Sequence, residues 1–375
     1  MRQPAHGGNL AWAAALAGCP PDAILDFSAS ISPLGPPNSA IAAIKSQIGN
    51  LKHYPDPNYS ELRLALSHFH QLPSEWILPG NGSAELLTLI GRELAQLAAT
   101  ILITPAFGDY YRTLAAYNAK VLECPLSLVI GHWSLVLSFA VGAASRREVL
   151  VIEKGQRTKD KGLLLNNPHN PTGKLFSRES ILPYLEQFAL VVVDEAFMDF
   201  VPPNEEQSLI PVVQEYPNLV VLRSLTKFYS LPGLRLGYAI AHPDCLAKWQ
   251  LWRDPWPVNT LAAAAAIAAL QDTEFQQETW AWLPPARNQL FQGLAEIPGL
   301  QPQASAANFL LVESQESTSQ LQQQLLKHHQ ILIRDCLSFK ELGDRFFRVA
   351  VRKESDNQRL LTALNSVLSE KWGVG

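Results

Sequence analysis

The chain has 375 residues, 47% hydrophobic and 17% charged, long enough for two domains around an extended core and with the balance of a soluble globular protein, not a disordered one. Its formal net charge of −4 supplies no basic field for nucleic acid, and no run of like charges marks an interaction tail. Cys19, Cys124, Cys245 and Cys336 are scattered without a Cys-x-x-Cys pair, which argues against a disulfide framework or zinc ribbon and for a reducing cytoplasm.

At the N-terminus, His6-Gly7-Gly8-Asn9 precedes an apolar run from Leu10 to Ala17 that is too short, with only Arg2 basic, for a signal segment. His53-Tyr54-Pro55-Asp56-Pro57 reads as an aromatic before a Pro-rich turn. Ile77 to Gly82 reads as a strand end turning into a helix over Ser83 to Leu97, where apolar residues recur at Leu86, Leu87, Ile90 and Leu94. A strand returns at Thr100 to Thr104 and leads into Pro105-Ala106-Phe107-Gly108. The stretch from Ser127 to Lys161 is polar and weakly periodic, and is expected to be a strand pair with an exposed loop.

Further strands are expected at Gly162 to Leu165, Leu190 to Val193, Leu219 to Leu222 and Tyr238 to Ala241, separated by helices such as Arg178 to Gln187. Near-continuous apolar strands with interposed helices predict an α/β fold with a mostly parallel sheet covered on both faces. In such sheets the ligand lies beyond the carboxyl ends of the strands. After about residue 259 the pattern changes to an alanine-rich helix over Leu261 to Leu270, an amphipathic stretch from Pro284 to Leu294, and strands at Asn308 to Val312, Ile331 to Arg334 and Phe346 to Val351. The alanine helix is too short for a bilayer, and no membrane span is expected. The expected division is an N-terminal arm and part of a small domain (1–48), a large domain (49–258) and a small α+β domain (259–375).

Four short motifs close strands or follow them in order: Asn170-Pro171-Thr172-Gly173, Asp194-Glu195-Ala196-Phe197, Ser224-Leu225-Thr226-Lys227, and Arg235 within Leu234-Arg235-Leu236-Gly237. A lysine with a hydroxyl and a guanidinium close by is what an aldehyde cofactor bearing a phosphate needs, the amine to condense with it and the other two to hold the anion. A buried carboxylate such as Asp194 is costly unless paired. The Gly82-Ser83-Ala84 turn at a helix start favours an anion through free backbone N–H groups. Gly173-Lys174 lacks the upstream glycine and following Ser/Thr of a nucleotide P-loop. No cluster has metal-ligand spacing, and His68 with His70, and His328 with His329, fit polar helix faces.

In that order the four motifs resemble the fold-type I pyridoxal phosphate (PLP) enzymes of the aminotransferase class I/II family, with the aspartate aminotransferase-like fold, along nearly the whole chain. The resemblance implies Lys227 as cofactor anchor and acid/base, Asp194 against the pyridine nitrogen, Asn170 on the phenolic oxygen and Phe107 stacked on the ring. It implies that Gly82, Ser83, Ala84, Ser224, Thr226 and Arg235 hold the phosphate, helped by Tyr54 from the neighbouring subunit of a homodimer with a shared active site. Arg348 matches the arginine for the substrate carboxylate and Arg334 that for a substrate phosphate. His6, Gly7, Gly8 and Asn9, Pro255-Trp256-Pro257-Val258-Asn259 and Ile333-Arg334-Asp335-Cys336 look like the branch containing threonine-phosphate decarboxylase and histidinol-phosphate aminotransferase. Phe197 stands where many aminotransferases of that branch have tyrosine, which leans toward decarboxylation of O-phosphothreonine in cobalamin biosynthesis. The alternative is an aminotransferase acting on histidinol phosphate with 2-oxoglutarate.

Overall fold

Strands buried on both faces need uninterrupted apolar runs. In the computed structural model, which describes residues 7–129, 132–134, 138–139, 150–151 and 158–372, those runs form one seven-stranded sheet. Its strands are β1 (Ile77–Asn81), β2 (Ala99–Thr104), β3 (Val121–Pro125), β4 (Lys161–Asn166), β5 (Leu190–Asp194), β6 (Leu219–Ser224) and β7 (Leu236–Ala241), in the order β1-β7-β6-β5-β4-β2-β3. All are parallel to one another except β7, which runs antiparallel to both β6 and β1. One face packs Leu102, Leu164, Val192, Leu222 and Ala239 against Leu86 and Ile90 of the helix Gly82–Leu94 and Tyr110 of the helix Gly108–Ala116. Residues alternate in a strand, so Val193 and Arg223 face the other way.

The helix expected over Ser83 to Leu97 spans Gly82–Leu94. Of the stretch from Ser127 to Lys161, antiparallel pairs Ser127–Val129 with His132–Ser134 and Ser138–Phe139 with Leu150–Val151 are seen, and most of the expected exposed loop lies outside the described residues.

The chain divides into two compact units, one of Leu34–Asn170 and Leu175–Gln277, the other of residues up to Pro33, Pro171–Lys174 and from Glu278 onward. The breaks fall at 33/34 and 277/278, where the sequence suggested 48/49 and 258/259. The reason is helix packing: the alanine-rich helix Thr260–Gln271, capped by the Asn259 side chain on the Ala262 amide at 2.8 Å, buries Ala262, Ala265, Ala266 and Ala269 and lies on the helices Asn38–Gln47 and Ser60–His70. All three therefore belong to the large unit.

The small unit holds a four-stranded antiparallel sheet of β8 (Leu300–Pro302), β9 (Phe309–Ser314), β10 (Arg334–Asp335) and β11 (Phe346–Ala350), in the order β8-β9-β11-β10. The apolar N-terminal run is the helix Leu10–Ala17, whose Ala13 and Ala14 pack with Leu326 and Leu332. Among the described residues, no helix is long and apolar enough to cross a membrane, and no group of His, Cys, Asp and Glu could hold a metal ion.

Candidate active site

In the large unit, Asn170, Asp194, Ser224, Thr226 and Lys227 sit at or just beyond the carboxyl ends of β4, β5 and β6. Asp194 ends β5 and is 6% exposed. The Tyr110 hydroxyl donates to its Oδ2 at 2.8 Å and the Ala196 amide to its Oδ1 at 3.0 Å. Burial raises this carboxyl above its ordinary value, while the two hydrogen bonds and the Lys227 charge pull the other way. A carboxylate whose two oxygens are each held by one donor keeps acceptor capacity for a cationic ring nitrogen. Phe107 is half-buried just ahead of the Tyr110 helix and meets that ring edge-to-face with centroids 5.7 Å apart. Asn170 is buried beyond β4, and Lys227 is half-buried beyond β6.

The anion-binding residues are brought together by the reversed strand. Ser224 of β6 pairs with Gly237 of β7, and a Cβ on Gly237 would lie 2.7 Å from the Ser83 backbone nitrogen. Gly82, at φ +72°, opens the helix, and a Cβ there would lie 2.7 Å from Nη2 of Arg235. Both positions must be glycine for the helix start, Ser224 and Arg235 to approach. The Ser224 and Thr226 hydroxyls are 2.8 Å apart. Arg235 is exposed, with Nη1 donating to the Pro232 carbonyl at 3.2 Å. The first-turn amides of Gly82, Ser83 and Ala84 have no intrahelical acceptor, and with the two hydroxyls and the guanidinium they make a nest for a phosphate. A nest beside β6 and a buried carboxylate at the end of β5 fit the two ends of PLP.

The small unit carries the other predicted arginines. Arg334 and Arg348 are direct cross-strand neighbours on β10 and β11, 5% and 8% exposed. Arg348 donates from Nη2 to the Ser28 carbonyl at 3.3 Å and lies over the Phe309 ring. Burial, joined by the Arg334 charge, pushes Arg348 down to about 10. Arg334 donates from Nη2 to the Ser338 hydroxyl at 2.6 Å.

Gly7, Asn9, Trp12, Ser28, Gln322 and Arg334 line one pocket of this unit. The Gly8 amide donates to Ser28 Oγ at 2.7 Å, and a side chain at residue 7 would run into the Ser28 carbonyl. The Gly-Gly-Asn segment and Arg334 therefore line the same pocket, and Ser28 accepts from both that segment and Arg348. His6 lies outside the described residues.

Sequence reasoning passed over several residues. Tyr110 had no role, although it lies three positions after Phe107. Arg223, 2% exposed, donates from Nε to Glu195 Oε2 at 3.0 Å, from Nη2 to Glu206 Oε1 at 2.6 Å, and to Asp199. Ser208 Oγ and the Leu209 amide donate to Glu195 at 2.7 and 2.8 Å. Burial alone would lower Arg223, but Asp199, Glu195 and Glu206 hold it well above its ordinary value. His70, expected on a polar face, is partly buried with Nε2 2.7 Å from the Tyr238 hydroxyl. Tyr54 is 77% exposed and stacks on Trp256 at 4.4 Å.

The chain matches the family model for aminotransferase class I and II over residues 22–364. It is 38% identical over 374 residues to a threonine-phosphate decarboxylase from Salmonella typhimurium, covering 97% of each chain. It is 33% identical over 344 residues to a histidinol-phosphate aminotransferase from Symbiobacterium thermophilum, covering 90% of this chain and 89% of that one. In fold it is similar to the crystal structure of histidinol-phosphate aminotransferase from Sinorhizobium meliloti in complex with pyridoxal-5'-phosphate, with a TM-score of 0.82 at 23% identity, covering 97% of this chain and 95% of that one.

Proposed function

This chain belongs to the aminotransferase class I and II family and is a PLP-dependent enzyme; from that premise we propose that it decarboxylates L-threonine O-3-phosphate to (R)-1-amino-2-propanol O-2-phosphate, a building block for the side chain of cobalamin. The observation that carries the reading is the full-length likeness to a threonine-phosphate decarboxylase at 38% identity, higher than to the histidinol-phosphate aminotransferase. Phe197, without a hydroxyl, leans the same way.

Bound PLP supplies an electron-withdrawing ring that takes up the electron pair left at Cα when one of its bonds breaks. Gly82, Ser83, Ala84, Ser224, Thr226 and Arg235 hold its phosphate in this reading, Phe107 flanks its ring and Asn170 its phenolic oxygen. Asp194 keeps its ring nitrogen protonated, the buried carboxylate gaining from the cation it faces. Lys227 anchors it and, once free, delivers a proton to Cα after the Cα–carboxylate bond has broken and CO2 has left. Arg334, with Gly7, Gly8, Asn9 and His6, grips the substrate phosphate, and Arg348 orients its carboxylate through a planar fork. A second copy of the chain supplies Tyr54 to the cofactor phosphate in a homodimer, which accords with that residue's exposure.

Arg348 favours a second reading, since a firm hold on the substrate carboxylate would oppose loss of CO2 and suit proton loss and aminotransfer. The test is to incubate the purified protein with O-phosphothreonine and, separately, with histidinol phosphate and 2-oxoglutarate. CO2 from the first alone is expected. Glutamate from the second overturns the assignment, and turnover that survives Lys227→Ala overturns the chemistry.

A further inference from the structure

Asp194 and Ser224 are the two ends of the cofactor site, and each is followed or preceded by a residue that the reaction does not use. Glu195 comes directly after Asp194, and Arg223 directly before Ser224. In register, Asp194 pairs with Leu222, and the last main-chain tie between the strands runs from the Glu195 amide to the Leu222 carbonyl at 2.8 Å. Past that point no ladder hydrogen bond sets the separation of β5 from β6. The side chains take over: Arg223 Nε meets Glu195 Oε2 at 3.0 Å, with both groups 2% exposed or less.

Parity in the strands puts this pair on the sheet face opposite to Tyr110 and Asp194, away from the cofactor. Arg223 also binds Asp199 and Glu206, and Glu195 accepts from Ser208 and Leu209, so the chain leaving β5 is bound to β6 over residues 195–209. A planar fork shared among three carboxylates has little freedom to shift.

We propose that Glu195 and Arg223 are positioning residues for the cofactor, a clasp that fixes the distance between the ring-nitrogen contact at Asp194 and the phosphate contact at Ser224. The proposal rests on the PLP assignment of those two residues. A ligand that must reach both ends gains from a fixed spacing, because the second contact becomes intramolecular once the first is made. A ligand that uses one end gains nothing.

The experiment compares PLP, which reaches both ends, with pyridoxal, which lacks the phosphate, and with inorganic phosphate. Dissociation constants are measured by equilibrium dialysis on the parent chain, Glu195→Gln, which keeps the shape, and Arg223→Lys, which keeps the charge; circular dichroism of the cofactor-free proteins confirms folding. The expected result is PLP binding weakened at least tenfold in both variants, with pyridoxal and phosphate changed less than twofold. Should Arg223→Lys fail to fold, Glu195→Gln alone decides. Equal weakening of all three ligands marks a structural role and overturns the proposal, as does unchanged PLP binding. If the parent itself fails to bind PLP, or borohydride fixes PLP to Lys227→Ala as well, the cofactor reading is what has failed.

Discussion

Arg223 in the large unit and Arg348 in the small one are both almost fully buried, at 2% and 8% exposure, yet burial has opposite outcomes for them. Arg223 is set among Glu195, Asp199 and Glu206 and is held well above its ordinary value in spite of burial. Arg348 faces another arginine across the sheet and is pushed down to about 10. A guanidinium surrounded by carboxylates joins parts of the fold to each other. A pair of guanidiniums side by side is disfavoured by mutual repulsion, and an anion between them relieves it. The difference sets an arginine that ties segments of the fold together apart from one placed beside a second cation, where an anion would be favoured.

The comparison breaks if the two respond alike to removal. Arg223→Met should cost about 3–5 kcal/mol in urea unfolding, since it leaves carboxylates buried without their cation. Arg348→Met should shift unfolding by less than about 1 kcal/mol, because a like-charge neighbour goes with it. The same change should weaken O-phosphothreonine binding by about 1.5–3 kcal/mol, read as a change in KM or in the inhibition constant of a competing carboxylate. Equal losses of stability at the two sites would refute the distinction.

Tyr110→Phe sharpens it within the large unit. Removing the hydroxyl that donates to Asp194 at 2.8 Å should cost about 1–2 kcal/mol in unfolding and raise the Asp194 carboxyl further. The absorbance of bound PLP should then change its pH dependence while Arg223 stays untouched. A pH effect concerns Glu195, whose carboxyl burial raises from 4.5 to about 7 against the pull of Arg223. The folded chain keeps a proton there that the unfolded chain gives up between those values. This contribution is complete below pH 4.5 and is lost as pH rises through 7. The urea midpoint of the cofactor-free chain should therefore decline with pH more steeply in the parent than in Glu195→Gln.

Much of the large unit was legible from its residues. The helix Arg178–Gln187 falls where it was expected, and strands such as Leu190–Asp194 differ by a residue or two, because continuous apolar runs between turn residues permit few alternatives. Asp194 stood out as a candidate because it closes such a run, and Asn170 and Lys227 because they follow one within four residues. Tyr110 could not, since its partner lies 84 residues away and its ring reads as ordinary core. Glu195 stood inside a quoted motif and Arg223 beside another, yet nothing in either neighbourhood says that they meet. Ser28 is likewise silent in sequence; its role follows from Gly8 and Arg348 reaching it from positions 20 and 320 residues away. The two units divide at other residues than the sequence suggested, because an alanine helix carries no record of which unit it packs on.

The single reversed strand has a consequence for truncated chains. Because β7 lies between β6 and β1, the helix start near residue 82 and the serine at 224 become neighbours only when Gly237 has been inserted between them. A chain cut upstream of that strand keeps the helix start and the serine but lacks the segment that lies between them, so under the proposed phosphate site it is expected not to retain the vitamin.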